Sequence, residues 1–142
     1  MLKTMFLCTG NTCRSQMAEG FAKELGKGIL ETYSAGVNPA GYVHPKAIAA
    51  MKEEGIDISG QKSKAIDPSL LTKMDLVITL CGNAEQTCPV TPPQIKRMHW
   101  PIEDPVSASE TAEEVMKKFR KARDEIKGRI ENLIRELSNG RA

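Results

Sequence analysis

The sequence predicts an α/β fold, a single three-layer domain in which helices flank a short parallel sheet. Three features carry this reading. A short apolar segment at residues 3–7 breaks at Cys8 into turn residues and then into a helical pattern. A continuous apolar run at residues 76–80 has the character of a strand buried on both faces. A long C-terminal stretch repeats its apolar residues with helical period.

Each element follows from local chemistry. Residues 3–7 predict a strand, and Thr9-Gly10-Asn11-Thr12 is turn chemistry. Over residues 13–25, Met17, Phe21 and Leu25 recur at helical spacing with Ala18 and Ala22 beside them. Residues 31–35 predict a second strand, closed by Gly36. Residues 45–54 predict a helix with Pro45 in its first turn and Gly55 past its end. Asp67-Pro68 opens a short helix that runs through Lys73, and residues 94–99 make a weaker last strand. In the final helix Val115, Phe119, Ala122, Ile126, Ile130, Leu133 and Leu137 step by 4, 3, 4, 4, 3 and 4. Glu113–Lys117 and Glu114–Lys118 are spaced to pair on its exposed side. No repeat, low-complexity tract or linker interrupts the pattern, so residues 1–142 read as one domain.

Composition narrows the function classes. Hydrophobic residues at 40% and charged residues at 27% describe a globular chain. Lys plus Arg is 20 against 18 for Asp plus Glu, a net charge of +2 that offers neither nucleic acid nor an anionic membrane a polybasic surface. No apolar run reaches the roughly 18–20 residues of a membrane span. Residues 1–10 hold too short an apolar stretch for a signal peptide, so a cytoplasmic location is expected. In that compartment the four cysteines, Cys8, Cys13, Cys81 and Cys88, are not expected as a structural disulfide. Metal binding, catalysis and inert burial remain. The six residues between Cys81 and Cys88 exceed zinc-knuckle spacing, and Arg14 would set a cation beside the ion, so no metal is expected.

Cys8 through Ser15 has the form C-x5-R-S between a strand and a helix. A five-residue loop there can aim its amides at a tetrahedral oxyanion, and the following helix points its positive N-terminus at the same place. Thr9, Gly10, Asn11, Thr12, Cys13, Arg14 and Ser15 form the expected oxyanion cradle, with Gly10 permitting the tight path and Arg14 supplying a planar fork. The same positive field favours an anionic sulfur at Cys8, the expected nucleophile, with Ser15 donating to it. Cys13 reads as a small buried hydrophobe in the first helical turn. Ligands of parallel sheets sit at the carboxyl ends of strands. Cys8 and Cys81 both follow strands, so they can share one edge although 73 positions apart. His44 and His99 have no partner motif and read as structural or surface residues, and Trp100 as packing.

The stretch CTGNTCRSQMAEG resembles the phosphate-binding loop of the low-molecular-weight tyrosine phosphatase superfamily. Those phosphatases usually carry Pro where this chain has Gln16, and D-P-Y where it has Asp104-Pro105-Val106. DLVITLCGNAEQTCPVTPP and HWPIEDP look instead like the thioredoxin-coupled arsenate reductases of the same superfamily, and the resemblance runs from about residue 4 to residue 135. It implies a four-stranded parallel sheet of order 2-1-3-4. It also implies that Cys8 attacks arsenate, that Arg14 and the loop hold its oxygens, and that Asp104 protonates the departing oxygen. Asp-Pro alone reads as an ordinary turn or helix start. Cys81 would be the second thiol and Cys88 the third, discharged by an external reductant such as thioredoxin, with no bound cofactor and the chain acting as a monomer. The competing readings are a phosphatase of the same fold and an anion- or redox-sensing module.

Two finer expectations accompany the resemblance. Some members hold potassium beside the loop through residues matching Asn11, Glu19 and Ser34, with an acid where this chain has Lys64. Lys64 would then replace the ion and pair with Glu19. Cys81 and Cys88 are seven residues apart, about 10 Å on an α-helix, beyond the roughly 7 Å between Cα atoms that a disulfide allows. With Gly82, Asn83 and the prolines 89, 92 and 93 nearby, an element around residues 82–88 is expected to be ordered when reduced and looped out when oxidised.

Overall fold

The structure is a computed structural model describing residues 1–81, 92–106 and 110–139. Its centre is a parallel sheet of β1 (Leu2–Cys8), β2 (Leu30–Gly36), β3 (Leu76–Thr79) and β4 (Lys96–His99), in the order β2-β1-β3-β4. This is the order that the family resemblance implied. The order matches the burial of each strand. All of β3 and the last five residues of β1 are buried, as inner parallel strands must be. β4 lies at an edge, where Lys96 and His99 are exposed, and it begins two residues later than the sequence suggested. Its charged residues leave the free edge a poor template for further strands.

The helices are α1 (Arg14–Leu25), α2 (Pro45–Glu53), α3 (Pro68–Leu71) and α4 (Ala112–Ser138). Met17, Ala18, Phe21 and Ala22 of α1 are fully buried, and α1 packs on β1, β2, α2 and α4. Gly20 has a packing reason: a Cβ there would fall 2.6 Å from Ile58 Cγ2. Side chains start the other helices. His44 caps α2, Asp67 accepts the Ser69 and Leu70 amides at α3, and Thr111 accepts the Glu114 amide at α4.

On α4, Lys118 pairs with Glu110 rather than with Glu114, and further ties cross to α2. Arg120 grips Glu53 with a planar fork at 2.9–3.1 Å. Arg123 adds a 2.6 Å bond to Glu53 and a 2.9 Å bond to the Ala50 carbonyl. Lys127 pairs with Glu54 at 2.7 Å. Among the described residues no helix is long and apolar enough to cross a membrane.

Register places the site. Leu7 of β1 pairs with Thr79 of β3, and the Leu80 amide donates to Leu7 O at 2.8 Å. Cys8 pairs with Gly36 on the other side. The chain therefore leaves β1 and β3 at one level, bringing the residues after Cys8 beside Cys81.

Candidate active site

The segment after β2 shapes the loop that follows β1. Cys8 O accepts from Val37 N (3.3 Å), Thr9 O from Asn38 N (2.9 Å), Gly10 O from Ala40 N (2.9 Å) and Thr12 O from His44 N (2.9 Å). Asn11 O accepts from Gln16 Nε2 at 2.9 Å, and Ser63 Oγ adds a second donor to Gly10 O at 3.0 Å. Five successive carbonyls are thus drawn outward. A trans peptide sets N–H opposite C=O, so the amides of residues 9–13 are turned to the other side, into the concavity. No described group accepts the amides of Gly10, Asn11, Thr12 or Cys13. The first turn of α1 adds its own uncommitted donors. Asn11 makes the bend with φ 48°, a left-handed conformation Asn tolerates. The loop therefore presents a concave row of amides in front of Cys8.

Cys8 is 2% exposed, and its sulfur lies 2.9 Å from Ser15 Oγ. Asn11 Nδ2 donates to the same Ser15 oxygen at 2.8 Å. Ser15 is therefore an acceptor toward Asn11, and its own proton is available to the Cys8 sulfur, as expected. Arg14 Nη1 donates to Ile102 O at 2.8 Å, and Nη2 lies 3.8 Å from Asp104. That bond brings the segment carrying Asp104 to the mouth of the loop. Asp104 is more than half exposed and accepts the Val106 amide at 3.0 Å. It lines one cavity of about 370 Å3 together with Cys8, Cys13 and Arg14.

Cys81, 8% exposed, approaches the same loop, with its sulfur 3.2 Å from Thr9 Oγ1. Cys13 is also buried. Burial above all, then the neighbouring Cys8 and Asp104 charges, pushes its thiol up to about 12, so it remains a neutral SH, in keeping with the small-hydrophobe reading. Cys88 and the expected switch element at 82–88 lie outside the described residues.

Lys64 corrects an expectation. Its ammonium makes no ion pair with Glu19 and donates instead to Lys62 O at 2.5 Å. Lys23, one turn further along α1, takes Glu19 at 2.9 Å, and Ser34 Oγ donates to the same carboxylate at 2.5 Å. The i,i+4 position on a rigid helix sets Lys23 over Glu19, whereas the Lys64 backbone is pinned by the Asn11 side chain, whose carbonyl accepts the Lys64 amide at 2.8 Å. Burial lowers the Lys64 pKa and the Glu19 charge opposes that shift, so Lys64 feels the carboxylate without touching it. Asn11 and Ser34 spend their side chains on these internal bonds.

Two site features escaped the sequence. Gln16 ties the loop to residues 61–62 through Asn11 O, Lys62 O and the Gln61 amide. His44 forms part of the cavity wall with Tyr42 and Val106. Pro45 in the first helical turn marks His44 as a cap, but nothing local places that cap beside Cys8. His99, read as structural or surface, is exposed at the end of β4 with its Nδ1 2.9 Å from Thr79 Oγ1. Trp100 packs against Phe6.

The family model described as low molecular weight phosphotyrosine protein phosphatase matches residues 3–142. The chain belongs to that family. Within the low molecular weight phosphatase family it is similar to "Arsenate reductase" of Bacillus subtilis, 53% identical over 125 residues that cover 88% of this chain and 89% of that one. A solved structure described as an arsenate reductase in the phosphate binding state superposes with TM-score 0.77 at 44% identity, covering 96% of this chain and 98% of that one. A thioredoxin-dependent arsenate reductase from Corynebacterium glutamicum superposes with TM-score 0.80 at 26% identity, covering 99% of this chain and 63% of that one.

Proposed function

We propose that this chain reduces arsenate to arsenite through a relay of three thiols, Cys8, Cys81 and Cys88, and discharges the resulting disulfide to an external thiol reductant, thioredoxin. The observation that carries the reading is the second buried thiol, Cys81, 3.2 Å from the Thr9 hydroxyl of the very loop that bears Cys8. A phosphatase needs a nucleophile, an anion cradle and an acid. It has no use for another thiol at the lip of the cradle. The names borne by the relatives point the same way.

The chemistry follows from the groups in place. The loop amides and Arg14 hold arsenate with its arsenic facing the Cys8 sulfur. The Cys8 thiolate attacks, an S–As bond forms, and one oxygen leaves with a proton from Asp104. The Cys81 thiolate then attacks the Cys8 sulfur. An S–S bond forms and the S–As bond breaks with its electron pair staying on arsenic, so arsenic(V) becomes arsenic(III). Two thiols are oxidised and arsenite departs. Cys88 next attacks the Cys81 sulfur and frees Cys8 as thiolate, moving the disulfide to Cys81–Cys88. An external dithiol reduces it.

The test is arsenite production from arsenate with thioredoxin, thioredoxin reductase and NADPH, run beside glutathione with glutaredoxin. The reading expects sustained turnover in the first mixture. Hydrolysis of an aryl phosphate with no arsenite formed in either mixture would make the chain a phosphatase instead.

A further inference from the structure

His44 ends the segment that laces the loop, and three contacts fix its ring. Nδ1 accepts the Lys46 amide at 3.0 Å, the capping bond of α2. The ring lies against Phe119 of α4, with centroids 4.9 Å apart, and near Tyr42 at 6.5 Å. Its own backbone amide is bonded to Thr12 O, inside the loop, at 2.9 Å. An imidazole whose Nδ1 accepts a hydrogen bond in its neutral form carries its proton on Nε2. The tautomer is therefore set by the start of a helix, and the remaining polar atom of the ring is a donor. His44 lines the same cavity as Cys8, Arg14 and Asp104.

We propose that His44 is a substrate-binding residue of this site, its Nε2–H donating a hydrogen bond to the outward oxygen of the tetrahedral oxyanion. The inference deepens the proposed function and rests on one part of it, the reading of the loop as an oxyanion cradle. The loop amides and Arg14 can serve the oxygens that face inward. The outward oxygen meets Asp104, which repels an anionic oxygen unless a proton lies between them. A neutral N–H donor beside Asp104 supplies a partner without adding a charge. The charged and titratable groups around the ring are Lys46 on α2, Tyr42 just before it, Asp104 on the 101–106 segment, and Arg14, Cys8 and Cys13 at the loop, while Phe119 from α4 is uncharged. Burial first, and Lys46 second, keep the ring's proton affinity below its ordinary value, against the pull of Asp104.

The experiment uses the reduced chain with inorganic phosphate, which binds without being reduced, and measures Kd by calorimetry and Tm by scanning. His44→Asn retains a side-chain oxygen that caps α2 but is too short to carry the donor into the cavity. His44→Ala loses both. The proposal expects phosphate Kd to rise about five- to tenfold in both variants, the worth of one hydrogen bond, with Tm falling only in His44→Ala. If His44→Asn binds phosphate like the parent and only His44→Ala is impaired, His44 is a helix cap and the proposal is overturned, with the oxyanion reading intact. If the parent itself does not bind phosphate, both fall together.

Discussion

Gly36 faces Cys8 across the β1–β2 ladder, and a Cβ at that position would fall 2.8 Å from Thr9 O and 2.9 Å from Asn11 N. The missing side chain lets the loop after β1 fold back against the end of β2. Both close neighbours are backbone, which cannot swing aside as a side-chain tip can.

Gly36→Ala should therefore displace the loop rather than merely crowd it. Turnover with arsenate is expected to fall about a hundredfold or more, as when one aligned oxyanion donor is lost. Phosphate binding should weaken with it. Steady-state kinetics and calorimetry on the same preparation check this, and unchanged values for both would show that the close approach is not needed.

Cys8→Ser should abolish arsenite formation while keeping oxyanion binding, because the amides, Arg14 and Ser15 remain. A titration with arsenate by calorimetry separates the two. Loss of binding together with activity would mean that the Cys8 sulfur also holds the loop in shape.

Cys88→Ser should permit about one turnover per chain and trap a Cys8–Cys81 disulfide, identifiable by peptide mapping. Sustained thioredoxin-driven turnover in this variant would remove Cys88 from the relay.

The Glu53 carboxyl is held down at about 2, against an ordinary value of 4.5, chiefly by hydrogen bonds from Arg120 and then from Arg123. A carboxyl whose folded pKa is depressed contributes stability above its unfolded pKa and loses it as pH falls through the folded one. The α2–α4 tie should therefore be intact above about pH 4.5 and weaken toward pH 2. Glu53→Gln should flatten this part of the stability–pH curve in urea titrations. A parent curve with the same acid slope as the variant would place the acid lability elsewhere.

Lys23→Met should leave the Glu19 carboxylate, only 7% exposed, without its ion-pair partner. The expected loss is about 1–3 kcal/mol, the cost of an under-satisfied buried polar group. Potassium, compared with a bulky organic cation at constant ionic strength, should restore part of the Tm in this variant and leave the parent unchanged. A parent Tm that rises with potassium would show that Lys23 does not take the place of an ion.

Much of the site was legible because its parts are contiguous. Cys8, Gly10, Arg14 and Ser15 lie within one strand–loop–helix unit whose period changes at Cys8, and that change alone locates the turn and the helix N-terminus. The pairing of Ser15 with Cys8 follows from that unit. Glu19 and Lys23 carry a readable i,i+4 signal, stronger than the long-range pairing expected of Lys64, and a rigid helix surface outranks a lysine whose backbone is tied down elsewhere.

The sequence by itself determined the elements, the anion loop and the common edge of Cys8 and Cys81, because apolar periodicity and turn chemistry act over a few neighbouring residues. Only the tertiary structure decided what stands around them. Periodicity says which face of a strand is buried and not which strand covers it, so the order β2-β1-β3-β4 is set by packing of the whole sheet. The loop's amides face inward because Val37, Asn38, Ala40 and His44 draw its carbonyls outward from a different part of the chain. His44 reaches the cavity wall by that same lacing. Such bonds depend on where distant backbone groups meet in space, and no residue spacing along the chain encodes them.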